Sequence, residues 1–309
     1  MGTSYKKTFT ETESACEMVF RGLGPCYHLY TAEGFDTIFA TEEDFKAGMT
    51  ILAICALAFP DLRVLTFELM GNHLHLTVAG DKERCLALFR MIKQRIRLYL
   101  KGTGSSADIS DWECSIKEIL DLKYLRTLIV YTNRNGFVVN PNETPFSYRW
   151  GANRYFFNPD AVHILSQSRE KVTVKQIRNL MHSAEFDHFA GLRMVDGYVS
   201  PLTFCDIATA MALFRSAHHY FYLVSRDIEG QKIIAKELGE SVFYSDNELF
   251  NAVVSFIREK YGVSSPSILP KDSKIETAVW MHHNYNASNK QVGRILRLDL
   301  QVVNALFPL

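Results

Sequence analysis

The sequence has no long hydrophobic run, no closely spaced pair of cysteines and no apolar stretch at its N-terminus. A membrane-spanning helix needs about 18 consecutive apolar residues, so none is expected and no membrane partner is predicted. The six cysteines are scattered, with no Cys-x-x-Cys pair, which argues against a zinc knuckle or a disulfide framework. Because such cysteines fit a reducing compartment and residues 1–7 lack the apolar core of a signal peptide, we expect a cytoplasmic protein.

The sequence also has no net charge, since 34 Lys and Arg residues balance 34 Asp and Glu residues. Proteins that act on nucleic acids usually carry a basic surface, so neutrality confines any such surface to a local patch. Of the 309 residues, 47% are hydrophobic, which is enough for a sizeable core. The length suggests two domains.

Residues 70–78 alternate apolar and polar side chains, which is the pattern of a β-strand. Side chains two positions apart on a strand point to the same face, so His73 and His75 would lie side by side, opposite Leu74 and Leu76. Two imidazoles on a rigid strand are suited to bind a divalent metal. Two polar residues on a solvated sheet face are the simpler alternative.

Residues 123–136 predict an amphipathic helix that ends near Gly136. Tyr131 and Asn135 are four residues apart and share one face of this helix. A tyrosine hydroxyl can attack a phosphorus atom, and an amide oxygen can complete a metal site. A core tyrosine followed by a helix-capping asparagine is the alternative.

Together the two segments resemble the HUH single-tyrosine transposases, especially the REP-associated tyrosine transposase branch. The family's motif of two histidines around a bulky hydrophobe matches 73–75, and its Tyr-x-x-x-Asn-Pro stretch matches 131–136. Glycine stands at positions 71 and 136, where the family commonly has proline. Further matching segments occur in the family's order, so the resemblance covers roughly residues 20–155. These segments are 27–30, 38–44, 70–72 and 145–150.

The resemblance implies metal-dependent cleavage and rejoining of single-stranded DNA beside a hairpin, through a 5′-phosphotyrosine. It implies that Tyr131 is the catalytic nucleophile and that the metal is Mg²⁺ or Mn²⁺. The implied metal ligands are His73, His75 and Asn135. Some branches of the family act as dimers, so a homodimer is a possibility, and an enzyme of this kind would associate with the nucleoid.

A second helix, predicted over 81–101, carries basic residues along one face that would meet the phosphates of a DNA strand. A solvated surface face is the equal alternative. Arg126 and Arg134, on the helix of Tyr131, are further candidate DNA contacts and could favour the phenolate. The basic face consists of Arg90, Lys93, Arg97 and Lys101.

The order of these segments predicts an α+β fold. Its first part would be a ferredoxin-like antiparallel sheet with helices on one face, and His73 and His75 would lie on the other face. A mostly helical C-terminal region would follow. The strands are predicted near 25–31, 63–69 and 73–79, with a tight turn at 70–72, and the helices near 42–58, 82–101 and 118–135.

We expect three domains or segments: a catalytic domain over 1–155, a helical extension over 156–270 and a helix-turn-helix-like segment over 271–309. In the last segment Ser288 would cap a short helix over 289–296, and a third helix would span 300–306. That third helix has no basic residue, and only its Gln301 and Asn304 suit base edges. A plain helical cap is the alternative.

Two other functions stay open. A non-catalytic DNA-binding regulatory protein, descended from such an enzyme, would keep the fold and the C-terminal helices without cleavage. A two-histidine phosphoesterase would use His75-Leu76-Thr77 as a His-x-Thr motif, but none of the other histidines begins the second copy that this chemistry needs.

Overall fold

The computed structural model describes residues 2–31, 37–110, 112–138, 146–161, 173–175, 178, 192–226, 234–235 and 244–307. The chain forms two compact units. The first comprises Met1–Phe137 with Glu143–Val224, and the second comprises Val138–Asn142 with Ser225–Leu309.

The first unit is built on a four-stranded sheet in which every neighbouring pair of strands is antiparallel. The spatial order is β2-β3-β1-β4. Helices follow β1 and β3, so the chain order is βαββαβ and the expected ferredoxin-like arrangement is confirmed. The strands are β1 (Cys26–Tyr30), β2 (Arg63–Leu69), β3 (Leu74–Ala79) and β4 (Ser115–Ile119).

Four long helices belong to the same unit. They are α1 (Gly2–Leu23), α2 (Glu42–Leu57), α3 (Lys82–Thr103) and α4 (Leu122–Val138). Helix α4 begins later than the helix predicted from residue 118, because β4 occupies the start of that segment. Helix α4 also continues through Gly136 to Val138, so the prediction that Gly136 ends it was wrong.

The turn between β2 and β3 is the one that the sequence predicts. The amide of Met70 donates to the carbonyl of His73 at 2.9 Å and closes the turn. The carbonyl of Gly71 accepts hydrogen bonds from the amides of Ile38 and Phe39, at 2.8 and 2.9 Å. These bonds tie the turn to the chain that enters α2, so the residues next to His73 are held from two sides.

The two faces of the sheet differ in chemistry. One face, here called the apolar face, carries the buried residues Leu29, Phe67, Leu69, Leu74, Leu76 and Val78. The other face, here called the polar face, carries His28, Tyr30, Thr66, Glu68, His75 and Thr77, which the strand register brings side by side.

Helices α2 and α3 pack against the apolar face. The hydroxyl of Tyr99 on α3 donates to the Asp44 carboxylate on α2 at 2.7 Å. The same carboxylate accepts from the Thr41 amide at 2.9 Å, which closes a capping box at the start of α2. Gly48 on α2 lies against the side chain of Leu69, which marks the apolar face as the one that α2 covers.

Helix α4 packs on the opposite, polar face. The Thr66 hydroxyl of β2 donates to the side-chain oxygen of Asn133, and the Gly136 amide donates to Glu68 at 2.7 Å. The sheet is therefore covered on both faces, with α2 and α3 on one and the helix of Tyr131 on the other.

The chain after residue 192 completes the first unit rather than starting a new domain. A short hairpin (β5, Met194–Val195; β6, Tyr198–Val199) packs near α2. The amide of Asp206 then donates to the carbonyl of Val64 in β2 at 2.7 Å. Helices α5 (Ile207–Ala212) and α6 (Ala217–Arg226) follow. These contacts reach the central sheet, and the first unit extends to Val224.

The second unit has its own core and consists of helices in the part that the structure describes. They are α7 (Asp246–Tyr261), α8 (Lys271–Tyr285), α9 (Asn289–Leu296) and α10 (Leu300–Leu306). Ser288 caps α9, as predicted, and Arg297 ends it with a φ of 52°. Val292, Leu296 and Val303 are buried in the core of this unit. The predicted succession of short helices, 289–296 and 300–306, is confirmed.

None of the described helices has the length and the apolar character needed to cross a membrane.

The contact between α2 and the apolar face can be tested at Gly48. A methyl group there would lie 2.6 Å from Leu69 Cδ2 and 2.8 Å from Phe39 Cε1, both in the buried core. We expect Gly48→Ala to lower the free energy of unfolding by about 1–3 kcal/mol through overpacking. Gly22→Ala is the control, because nothing lies within 4 Å of its added methyl group. The control should be neutral or up to about 1 kcal/mol more stable in urea denaturation. Equal midpoints for the two variants would contradict the packing.

Candidate functional site

A cluster of aromatic rings occupies the polar face. His28 and Tyr30 come from β1, His75 comes from β3, His73 comes from the turn before β3, and Tyr131 comes from α4. The rings of His28 and His75 are stacked with centroids 5.3 Å apart, and Tyr30 stacks on His28 at 4.8 Å. His73 meets His75 edge-on at 5.1 Å. The predicted pair of imidazoles therefore lies together in space.

Tyr131 lies against the same pair. Its ring meets that of His75 edge-on, with centroids 6.1 Å apart. The structure thus brings together the predicted nucleophile and one of the predicted metal ligands, although they lie on different elements. Tyr131 is only 2% exposed and His75 is fully buried, so the cluster is covered in this structure.

The hydrogen bonds of the two histidines involve the same ring nitrogen. His73 Nδ1 lies 2.8 Å from Asn72 Oδ1, and because an amide oxygen only accepts, Nδ1 carries the hydrogen. His75 Nδ1 lies 3.2 Å from His28 Nε2, and either ring can be the donor of that bond. When His75 is the donor, the Nε2 atoms of both His73 and His75 carry the lone pair that a metal would need.

Burial keeps these rings neutral. It lowers the pKa of His28 to about 3 and the pKa of His73 to about 4. Burial, together with the neighbouring His73 and His28, also lowers the pKa of His75 well below its usual value. Neutral imidazole is the form that binds metal ions, so the rings are in the protonation state that a metal site requires.

Glu68 is a site residue that sequence reasoning missed. It is fully buried on β2, and its ladder partner on β3 is His75. Burial raises the pKa of its carboxyl group well above the usual value. The sequence does contain a signal for it. Glu68 is the single charged residue in segment 64–69 of β2, whose other residues are apolar or threonine.

Asn135 is half-buried on α4, one turn after Tyr131 and next to Gly136. Within the described ranges, no group of three or more His, Cys, Asp or Glu side chains is placed to hold a metal ion. The predicted ligand set has only two such side chains, His73 and His75, and relies on the Asn135 amide as the third ligand.

A chain of buried hydrogen bonds holds α4 in place beside the cluster. Asn133 accepts from Thr66 and donates to the hydroxyl of Tyr220 at 2.9 Å. That hydroxyl donates to the side-chain oxygen of Asn153 at 2.5 Å. The network joins β2, α4, α6 and the segment after α4, so the chain beyond residue 143 helps to fix the tyrosine helix.

Two of the predicted DNA contacts are buried. Arg126 is 7% exposed, and its guanidinium donates to Glu13 at 2.6 Å and to the carbonyl of Leu213 at 2.5 Å. Arg134 is 2% exposed. Both side chains are enclosed by the first unit, and in this position they cannot contact a phosphate on its surface.

The basic face of α3 lies in another layer from the cluster. Arg90, Arg97 and Lys101 are exposed. Lys93 is half-buried and donates to the carbonyl of Ser110 at 2.7 Å. Because α3 packs on the apolar side of the sheet, DNA bound along this face would lie across the sheet from Tyr131.

Comparisons of the chain with protein-family models, with curated proteins and with solved structures gave no match. The function is therefore argued from the geometry of the polar face and from the chemistry of its residues. The family resemblance of the sequence remains an expectation that these comparisons do not test.

The buried imidazoles predict a pH dependence of stability. An unfolded histidine titrates near pH 6.5, whereas folded His28 stays neutral down to about pH 3. As the pH falls below about 6.5, the unfolded state binds the extra proton and the free energy of unfolding decreases. His28→Gln removes one such group. As the pH is lowered from 6 to 4.5, the free energy of unfolding should therefore fall less steeply in His28→Gln than in the wild type, by about 1.4 kcal/mol per pH unit.

Urea unfolding at several pH values measures this difference. The raised pKa of Glu68 acts in the opposite direction, because it adds stability at low pH that is lost as the pH rises above about 4.5. That contribution is common to both proteins and cancels in the comparison. Parallel stability curves for the wild type and His28→Gln would show that His28 is not held neutral.

Proposed function

We propose that the first unit is a metal-dependent enzyme that cleaves and rejoins single-stranded DNA through a 5′-phosphotyrosine. The observation that carries the proposal is the edge-on contact of Tyr131 with His75, at 6.1 Å between ring centroids. A nucleophile and a metal-binding imidazole must share one site for this reaction, and the residues come from a helix and a strand that are far apart in the sequence.

The donor atoms of the proposed ligands are of types that bind metal ions: two imidazole nitrogens and one amide oxygen. His73, His75 and Asn135 would hold Mg²⁺ or Mn²⁺, and the Nδ1 contacts of the histidines with Asn72 and His28 would orient both rings. When bound, the ion would act as a Lewis acid that withdraws charge from the scissile phosphate. The neutral state of the buried imidazoles supports this assignment.

The chain's own residues supply the nucleophile. The Tyr131 hydroxyl loses its proton, and its oxygen forms a bond to phosphorus as the bond from phosphorus to the 3′ oxygen breaks. The 3′ oxygen leaves as a hydroxyl after it takes up a proton, and the reverse attack by a 3′ hydroxyl rejoins the strand. A free tyrosine has a pKa near 10, so the phenolate needs support. The buried guanidinium of Arg134, three residues further along α4, would favour it.

DNA contacts are proposed at exposed positions only. Arg90, Arg97 and Lys101 on α3 would bind phosphates, with Lys93 beside them. Arg126 and Arg134 are withdrawn from this set because they are buried. Helices α9 and α10 of the second unit would offer a further contact of the helix-turn-helix kind. Because His75 and Tyr131 meet within one chain, the proposal does not need a tyrosine from a partner in a homodimer.

One observation favours a second candidate function. The Tyr131 ring and His75 are covered in this structure, and a DNA strand would reach them only after part of that cover moved. A non-catalytic DNA-binding protein that kept the fold would show the same closed cluster. The two functions differ in whether Tyr131 forms a covalent bond to DNA.

Replacement of the nucleophile distinguishes them. We expect Tyr131→Phe to reduce cleavage of hairpin-flanked single-stranded DNA with Mn²⁺ by about 10³-fold or more, because phenylalanine has no oxygen to attack phosphorus. The wild type should also form a covalent protein–DNA adduct that survives denaturing electrophoresis, and Tyr131→Phe should form none.

Tyr124→Phe is the matched control. Tyr124 lies seven residues earlier on the same helix, where its half-buried ring contacts the ammonium group of Lys117 at 4.7 Å. It should keep near wild-type cleavage. Equal cleavage by Tyr131→Phe and the wild type would remove Tyr131 as the nucleophile. Absence of cleavage by every protein, with DNA binding retained, would favour the non-catalytic function.

A further inference from the structure

The Glu68 carboxyl group lies between the sheet and the tyrosine helix. Its Oε1 accepts the hydrogen bond from the Gly136 amide at 2.7 Å. Its Oε2 is buried and has no hydrogen-bond partner in the described part of the chain. A carboxyl group in this position carries a cost of desolvation, so it is not explained by packing of the core alone.

Two glycines make room for this carboxyl group. A Cβ added at Gly136 would collide with Glu68 Oε1 and with the ring of Tyr148. A Cβ added at Gly151 would lie 2.8 Å from Glu68 Oε2. Neither glycine has a positive φ, so close approach, rather than backbone conformation, requires the missing side chains.

Glu68 connects the strand of His75 to the helix that carries Tyr131 and Asn135. Glu68 is the ladder partner of His75. Gly136 follows Asn135 directly and lies five residues after Tyr131 on α4. A bond from Glu68 to Gly136 therefore sets the position of the tyrosine helix along the strand that pairs with His75.

We propose that Glu68 is a positioning residue that fixes Tyr131 and Asn135 against His75 by holding the Gly136 amide of α4. The inference rests on the proposed function for its catalytic meaning. It also gives a reason for the glycine at position 136, where the resembled family commonly has proline. A proline has no amide hydrogen, so it could not donate to Glu68.

The test compares two replacements of Glu68 in the full chain. Glu68→Leu keeps a similar volume but removes the acceptor, whereas Glu68→Gln keeps an oxygen that can accept from Gly136. Glu118→Leu is the matched control, because Glu118 is an exposed acidic residue on β4 of the same sheet. Amide hydrogen exchange of a peptide that spans 131–138 reports the anchoring of α4, and cleavage with Mn²⁺ reports the site.

We expect Glu68→Leu to raise exchange in this peptide about 5- to 100-fold, because the Gly136 amide loses its acceptor on the sheet. Cleavage should fall about 100-fold through misplacement of Tyr131. Glu68→Gln should restore both values to within a few-fold of the wild type, and Glu118→Leu should change neither. If Glu68→Leu folds poorly, Glu68→Gln still tests the inference. Exchange in the 131–138 peptide of Glu68→Gln as fast as in an unanchored helix would overturn it.

The two proposals fail in different ways. Unchanged exchange and cleavage in Glu68→Leu overturns the positioning role and leaves the proposed function intact. Faster exchange in Glu68→Leu, restored in Glu68→Gln, supports the anchor even if the wild type does not cleave DNA. In that last case the proposed function is the part that fails.

Discussion

The packing of α4 on a polar sheet face is the interaction on which the site depends. The face that carries His28, Glu68 and His75 is buried almost completely, although its residues are polar. Buried polar groups are tolerated when they are hydrogen-bonded, and α4 supplies partners for two of them. The helix that brings Tyr131 to His75 is thus the same helix that satisfies Thr66 and Glu68.

A buried sheet face that carries imidazole and carboxyl groups is unusual for a protein core. An apolar face of similar shape would exclude water without the desolvation cost of imidazole and carboxyl groups. The opposite side of the sheet follows that simpler solution, with aliphatic residues and Phe67 against the packed helices. One face is therefore apolar throughout, and the other carries the residues of the proposed site. On the polar face, the buried Oε2 of Glu68 lacks a hydrogen-bond partner among the described residues, which adds to the cost of desolvation there.

The sequence predicted the parts of the fold that depend on local periodicity. Alternation over 70–78 identified β3, its turn and the shared face of His73 and His75, and the helix predicted near 42–58 corresponds to α2. Strand β4 was missed, because its five residues include Lys117 and Glu118 and precede a helical pattern without a break. The end of α4 was misplaced because glycine usually ends helices, whereas Gly136 is needed for close approach to Glu68.

Features that depend on distant segments could not be read from local pattern. From local sequence, Arg126 is predicted to be an exposed basic residue. The fold buries it, because Glu13 and the Leu213 carbonyl, from distant parts of the unit, accept its hydrogen bonds. The first unit extends to Val224 because that part of the chain contacts β2. No change in composition along the sequence indicates these contacts. The contact of Tyr131 with His75 was predicted only through the order of motifs, and the burial of Tyr131 agrees with the alternative of a core tyrosine.

The central claim is that the polar face forms one metal-dependent site around His73, His75 and Tyr131. The most direct measurement is anomalous diffraction from crystals of the full chain soaked in Mn²⁺. The account predicts a manganese peak within bonding distance of the Nε2 atoms of His73 and His75, with the Tyr131 ring still against His75, and no such peak in His75→Phe. The absence of an anomalous peak at these two histidines at saturating Mn²⁺, or a manganese peak found only elsewhere, would contradict it.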